Sequence, residues 1–211
     1  CNTNLPSFTT CISATQSEEK LQKLAEWKAR HGDQAADRVR DVAAMRGTAM
    51  HTFLEAYIQG TGHMDLTKLG LQANTMAQKV IESGLGDLEE VWGTEVTLYY
   101  PDLYAGATDV VGIYNGRESI IDFKQTNKPK QREWIGDYFT QLAAYAMAHN
   151  HVYGTNIQSG VILMCSKDCY FQKFEVFDKE FQGYMHTSLK KVDQYYTHCT
   201  KTPNDETTET H

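Results

Sequence analysis

The stretch "AGATDVVGIYNGRESIIDFK", residues 105–124, decides how this chain folds. Two runs rich in β-branched residues flank Asn115-Gly116, a dipeptide suited to a two-residue type I′ turn, in which both central positions need positive φ. With those two residues as the loop, Tyr114 faces Arg117, Val111 faces Ile120 and Asp109 faces Asp122. Directly opposed Cβ atoms lie about 4.5–5.5 Å apart, a distance at which like charges repel. The two-residue side-chain period then puts Lys124 on the face of Asp122, and Ile121 and Phe123 on the other, core-facing side. Two acids and an amine are expected to converge at one end of a hairpin.

Outward from this hairpin, "TEVTLYY" (94–100) reads as a preceding strand. The chain before it is helical. One helix is expected to run from Thr15, spaced from Glu18 as in a capping box, to a stop at Gly32. Two more are expected over 33–59 and 67–83. Beyond the hairpin the pattern predicts a helix over 133–149, strands over 158–166 and 169–177 joined by a tight turn, and a last helix over 179–198. This order predicts one α/β domain, a mixed β-sheet flanked by helices, with a helical N-terminal segment over 1–90 and a sheet-centred core over 91–200. Residues 201–211 read as an acidic, disordered tail.

The chain has 211 residues, a formal net charge of −7 and a pI near 5.6, which argues against coating of duplex nucleic acid by bulk electrostatics. An acidic site that binds divalent metal and meets phosphate through it remains compatible. No run of about eighteen apolar residues is present, so no membrane span is expected. The first residue is Cys1, so a targeting peptide could have preceded it. Five cysteines at scattered spacing form no CxxC pair and read as reduced thiols of a cytosol-like compartment. Their spacing also matches no common iron–sulfur pattern.

Opposed carboxylates are the donor set for hard cations such as Mg²⁺ or Mn²⁺, one or two ions, in metal-assisted phosphodiester hydrolysis. Whether Lys124 serves such chemistry as a base or as an electrostatic clamp is left open by the residues alone. Gly47, His51 and Glu55 share a helix face, so His51 could add a ligand, although a lone helical histidine is more often structural. Glu95 is a further candidate carboxylate. Gln141 and Tyr145, four apart on the helix after the Asp-x-Lys strand, could hold a phosphate or water. Lys128, Lys130 and Arg132, followed by Trp134, Tyr138 and Phe139, interleave basic and aromatic groups in the way that suits single-stranded nucleic acid.

Taken in order, "RGTAMH" (46–51), "GATD" (106–109), "IIDFK" (120–124) and "QLAAY" (141–145) resemble the PD-(D/E)XK nuclease superfamily in its RecB-like exonuclease branch. "LPSFTTCISAT" (5–15), "EWKARHG" (26–32) and "IIDFKQTNKPK" (120–130) look like phage exonucleases related to the mitochondrial genome maintenance exonuclease. The resemblance runs from about Leu5 to Glu175. It implies a restriction-endonuclease-like fold and metal-dependent exonucleolytic cleavage of DNA, with preference for single strands bearing a free end. It further implies that Asp109, Asp122 and the Phe123 carbonyl hold metal with help from His51, and that Lys124 is catalytic. The implied compartment is bacterial or phage-infected cytoplasm, or the mitochondrion if a targeting peptide was removed. Thr108 stands where the superfamily has proline, and Gln125 where a small hydroxyl residue often follows the lysine. Two other readings share the motifs: a structure-specific or recombination endonuclease on the same core, and an inactive module that binds DNA ends.

Overall fold

The structure, a computed structural model, describes residues 4–200, with side chains through His198. The expected tail over 201–211 and the side chains of Cys1 and Cys199 lie outside the described residues. Helices α1 (Phe8–Ala14), α2 (Glu18–His31), α3 (Asp33–Ile58) and α4 (Lys68–Gly84) come first. Strands β1 (Leu88–Tyr100), β2 (Tyr104–Tyr114) and β3 (Arg117–Thr126) follow, then α5 (Gly136–Tyr153), β4 (Ser159–Ser166), β5 (Phe171–Phe177) and α6 (Asp178–Thr200). The strands form one sheet in the order β1-β2-β3-β4-β5, antiparallel except for the β3–β4 pair. A parallel pair needs a long crossover, and α5 supplies it.

The central hairpin closes as its turn chemistry demands. Asn115 and Gly116 have φ of 49° and 71°, and Tyr114 pairs with Arg117. The ladder then runs in the expected register as far as Val110↔Ile121.

Several expectations are corrected. Helix α1 was not anticipated; at seven residues it is too short to show a period, and Ser7 caps it by accepting the Thr10 N–H. The cap of α2 is Ser17, not Thr15. Thr15 instead ends α1, its hydroxyl donating to the Cys11 carbonyl at 2.7 Å. Helix α5 begins at Gly136 because Arg132–Trp134 forms a 3-10 turn. Strand β1 begins at Leu88, and the irregularities near Glu90 and Gly93 in its pairing with β2 blurred its alternation.

Both faces of the sheet are covered, which also corrects the one-sided reading of β3. On one face α1, α5 and α6 pack over Val111, Ile120, Ile162 and Met164. On the other, α3 and α4 pack over Val110, Ile121, Phe123, Val161 and Leu163. Every residue of β4 is buried, as expected of a central strand flanked by helices on both faces. Asp122 and Lys124 therefore project under α5 rather than toward open solvent.

Candidate metal-dependent nuclease site

The expected pair Asp109↔Asp122 is where the hairpin comes apart. The last ladder pair is Val110↔Ile121, and beyond it each strand turns to its outer neighbour, Thr108 to Val96 and Asp122 to Ile162. The Phe123 N–H, left over by this parting, donates to Asp109 Oδ2 at 2.6 Å. A carboxylate thus takes the place of a strand carbonyl. Two acids directly across an intact ladder would repel in a dry environment, and the splay relieves part of that repulsion.

Four elements meet at this point. From α3, His51 places Nε2 2.7 Å from the Phe123 carbonyl oxygen and Nδ1 3.3 Å from Asp109 Oδ1. Gly47, one turn earlier, allows the approach of helix to strand: a Cβ there would sit 3.3 Å from Gln125 Cγ. From β1, Glu95 lies between the paired residues Thr94 and Val96 and has φ of 48°, a strained value for a non-glycine residue. Ligand atoms of His51, Glu95 and Asp109 lie within 4.8 Å of one another, a set that could hold a metal ion. From β3, Lys124 Nζ lies 2.5 Å from Asp122 Oδ2 and 5.0 Å from the centroid of the Tyr138 ring on α5.

The electrostatics show the strain of gathering like charges. Burial and Asp109, with Glu55 behind it, raise the Glu95 carboxyl above the usual range. Burial raises Asp122 as well, against the pull of Lys124 and with the push of Asp109. Asp109 is also buried, yet its hydrogen bond to His51 and the charges of His51 and Lys124 hold it below the usual carboxylate range. Burial opposes the charge on His51, but Asp109 and Asp122 raise its pKa overall. Burial likewise opposes the charge on Lys124, but Asp122 and Asp109 outweigh it and keep an ammonium there. The Lys124 ammonium is the polar partner of the buried Asp122 Oδ2. A cation that takes carboxylate and carbonyl oxygens fits this set of donors.

The other candidates fall into place around this cluster. Gln141 donates to the Tyr145 hydroxyl at 3.1 Å, and the charges of Asp122, Lys124 and Asp109 all reach that phenol. Tyr145 packs closely on β2, where a Cβ on Gly106 would come within 2.5 Å of its ring. Glu55 shares with His51 and Glu95 a small cleft of ≈330 Å³. Lys128, Lys130 and Tyr138 line a separate, larger cleft of ≈990 Å³. Trp134 is 60% exposed and belongs to neither. Arg132 is engaged elsewhere, donating to Glu180 at 2.9 Å and lying over the buried ring of Phe139.

Sequence reasoning missed Arg46, which also lines the larger cleft and is 4% exposed. Its signal was the spacing Arg38, Val42, Arg46, one face of a helix. The role of Gln125 was also unread: it accepts from Arg46 Nε at 2.9 Å and donates to the Ala43 carbonyl at 2.8 Å, tying β3 to α3.

No protein-family model matches the chain. It is 28% identical over 177 residues to mitochondrial genome maintenance exonuclease 1 of Xenopus tropicalis, covering 79% of this chain and 50% of that protein. The human protein of the same name is also 28% identical over 177 residues, covering 78% and 50%. The chain thus spans about half the length of these curated relatives. A protein from Eubacterium rectale, provisionally described as an exonuclease, shares the fold with a TM-score of 0.51 and 12% identity, over 78% of this chain and 77% of that one. The sequence similarity to exonucleases supports a relationship to PD-(D/E)XK-like exonucleases, and the architecture is shared with the Eubacterium rectale protein.

Proposed function

We propose that this chain is a Mg²⁺- or Mn²⁺-dependent deoxyribonuclease that removes nucleotides from the free ends of single-stranded DNA. The observation that supports the reading is the group of His51, Glu95 and Asp109, whose ligand atoms lie within 4.8 Å of one another, with Asp109 held by the Phe123 N–H and the Asp122–Lys124 ion pair on the same strand as Phe123. The exonuclease names of its relatives supply the reaction class.

Asp109, Asp122 and the Phe123 carbonyl would hold the metal, with His51 and Glu95 as further donors. The metal's contribution, when bound, is Lewis acidity: activation of water and neutralisation of charge building on the phosphate. The rest falls to the chain. Lys124, at 2.5 Å from Asp122 Oδ2 and beside the proposed metal ligands, is positioned to meet the anionic phosphate. Before metal binds, His51 bridges Asp109 and the Phe123 carbonyl, a bridge it would give up at the nitrogen that turns to the metal, and the Tyr138 face restrains the lysine. Gln141 orients the Tyr145 hydroxyl toward the same centre. None of the helices described is long and apolar enough to cross a membrane.

The test is digestion of end-labelled linear and covalently circular single-stranded DNA of the same sequence, with metal or with chelator. Loss of the linear strand alone, and only with metal, is expected. Digestion of the circle at the linear rate would replace the exonuclease with an endonuclease on the same core. Metal-dependent binding without cleavage would leave an inactive end-binding module.

A further inference from the structure

The acids and Lys124 account for cleavage, but the cleft on the other side of Gln125 has no part in that chemistry. It is lined by five permanent cations, Arg38, Arg46, Lys128, Lys130 and Lys167, and by no carboxylate, in a chain of net charge −7. Arg46 stands out among them. Buried guanidinium groups are ordinarily paired with acids, yet its hydrogen-bond partners are neutral, Gln125 Oε1 and Asn127 Oδ1. Among the described residues no carboxylate lies within ion-pair distance of it; Asp168 acts on it only from farther away. Gln125 and Asn127 therefore fix the orientation of this cation without neutralising it.

The opposite wall is equally fixed. The Thr126 hydroxyl donates to the Lys128 carbonyl and the Lys167 N–H donates to the Thr126 carbonyl, each at 2.8 Å. Gln172 on β5 brackets Lys130, accepting from its N–H and donating to its carbonyl, both at 2.8 Å. Cations carried on a loop pinned in this way meet an anion with little ordering cost. Between the walls, α2 and α3 contribute Trp27 and the exposed Val39 and Val42, an apolar surface of the kind on which unpaired bases lie. The cleft adjoins Lys124 through Tyr138, which lines it and whose ring centroid lies 5.0 Å from Lys124 Nζ.

We infer that this cleft seats the single-stranded DNA flanking the bond to be cut, with Arg46 donating to a backbone phosphate, the loop lysines holding its neighbours and the Trp27 side receiving bases. This rests on the nuclease reading above and adds to it the subsite that grips the strand. A duplex, with its bases paired, offers nothing to the apolar surface, so the cleft accounts for preference toward single strands.

The experiment measures binding apart from cleavage: fluorescence anisotropy of a labelled oligo(dT) in EDTA, over a range of salt. Arg46→Met is expected to weaken binding about tenfold or more, from the loss of charge-assisted hydrogen bonds. The dependence of log affinity on log salt should become shallower by about 0.7 for that one phosphate contact. The double variant Lys128→Ala/Lys167→Ala removes only exposed side chains, and should weaken binding and reduce the slope by about 1.4. It decides the matter alone if Arg46→Met fails to fold. Wild-type affinity and slope in the folded variants would overturn the assignment, as would tighter binding of a duplex of equal length. Cleavage by the wild-type protein is scored separately in Mn²⁺. Variants that bind normally beside a wild-type protein that cleaves sink only the cleft. Weakened variants beside a wild-type protein that never cleaves sink only the nuclease.

Discussion

Lys124 and Gln125 are consecutive residues of β3, yet the regions on either side of them are built on opposite electrical plans. On the Lys124 side, buried Asp122 and half-buried Asp109 stand near the exposed Glu95, and burial and neighbouring acids raise two of the three carboxyls. On the Gln125 side, five cations line an open cleft, and the most buried of them leans on neutral oxygens. Each region carries an excess of one sign of charge that the protein only partly cancels. A protein selected for stability alone would pair these charges or replace them with apolar groups. The difference teaches that the two regions call for two different ligands, a cation on one side and an anion on the other, with Lys124 at the boundary where they would meet.

The sharpest way to break this comparison is at that boundary. Lys124→Ala is expected to lower the turnover of linear single-stranded DNA by roughly 10²–10³-fold, the scale seen when one preorganised donor to developing charge is removed. Melting curves must accompany the assay, because the substitution leaves Asp122 buried beside Asp109 without its ammonium. Full turnover by a folded variant would mean that the boundary residue clamps nothing.

The acidic side alone is addressed by the metal. At a free concentration of 100 Kd, a cation that binds only the folded state adds about 2.7 kcal/mol of stability. For a chain of this size that corresponds to a rise in Tm of roughly 5–10 °C. Scanning calorimetry with Mg²⁺, Mn²⁺ or chelator should show the rise in the wild-type protein and its loss in Asp109→Asn. An identical rise in that variant would move the metal elsewhere.

The two sides were unequally legible in the sequence. The acidic side was readable because Asn-Gly fixes a turn, a turn fixes a register, and strand period fixes which residues share a face. Those rules located Asp109, Asp122 and Lys124 with no tertiary information. They could not show that the ladder would part at Val110↔Ile121, beyond which β2 remains paired with β1 and β3 with β4. Nor could they give Glu95 its φ of 48°, which no local pattern announces. The basic side was half legible. Lys128 and Lys130 are contiguous in a loop, whereas Arg46 reaches the same cleft from a helix about eighty residues away. Arg132 and Phe139 looked alike in the sequence but were drawn into an ion pair and the core. Contiguity is visible in one dimension; convergence is not.

The smallest expected effect falls on the residue that joins the two regions. Gln125 donates to the Ala43 carbonyl and accepts from Arg46 Nε, so it anchors α3 to the end of β3. This explains why a long amide stands where a small hydroxyl residue might have followed the lysine: a shorter side chain would not reach either partner. Gln125→Ala removes one hydrogen bond between neutral groups and one to a charged group. At about 1 kcal/mol for the former and somewhat more for the latter, a loss of roughly 2–3 kcal/mol is expected, read as a lower midpoint of urea unfolding at unchanged slope. The loss should be smaller if water enters from the cleft to serve the Ala43 carbonyl. Because Arg46 would then keep only Asn127 as an orienting partner, oligo(dT) binding in EDTA should weaken while metal-dependent stabilisation persists. If metal stabilisation fell and DNA binding held, Gln125 would belong to the acidic side, and the line between the two plans would have to be drawn one residue later.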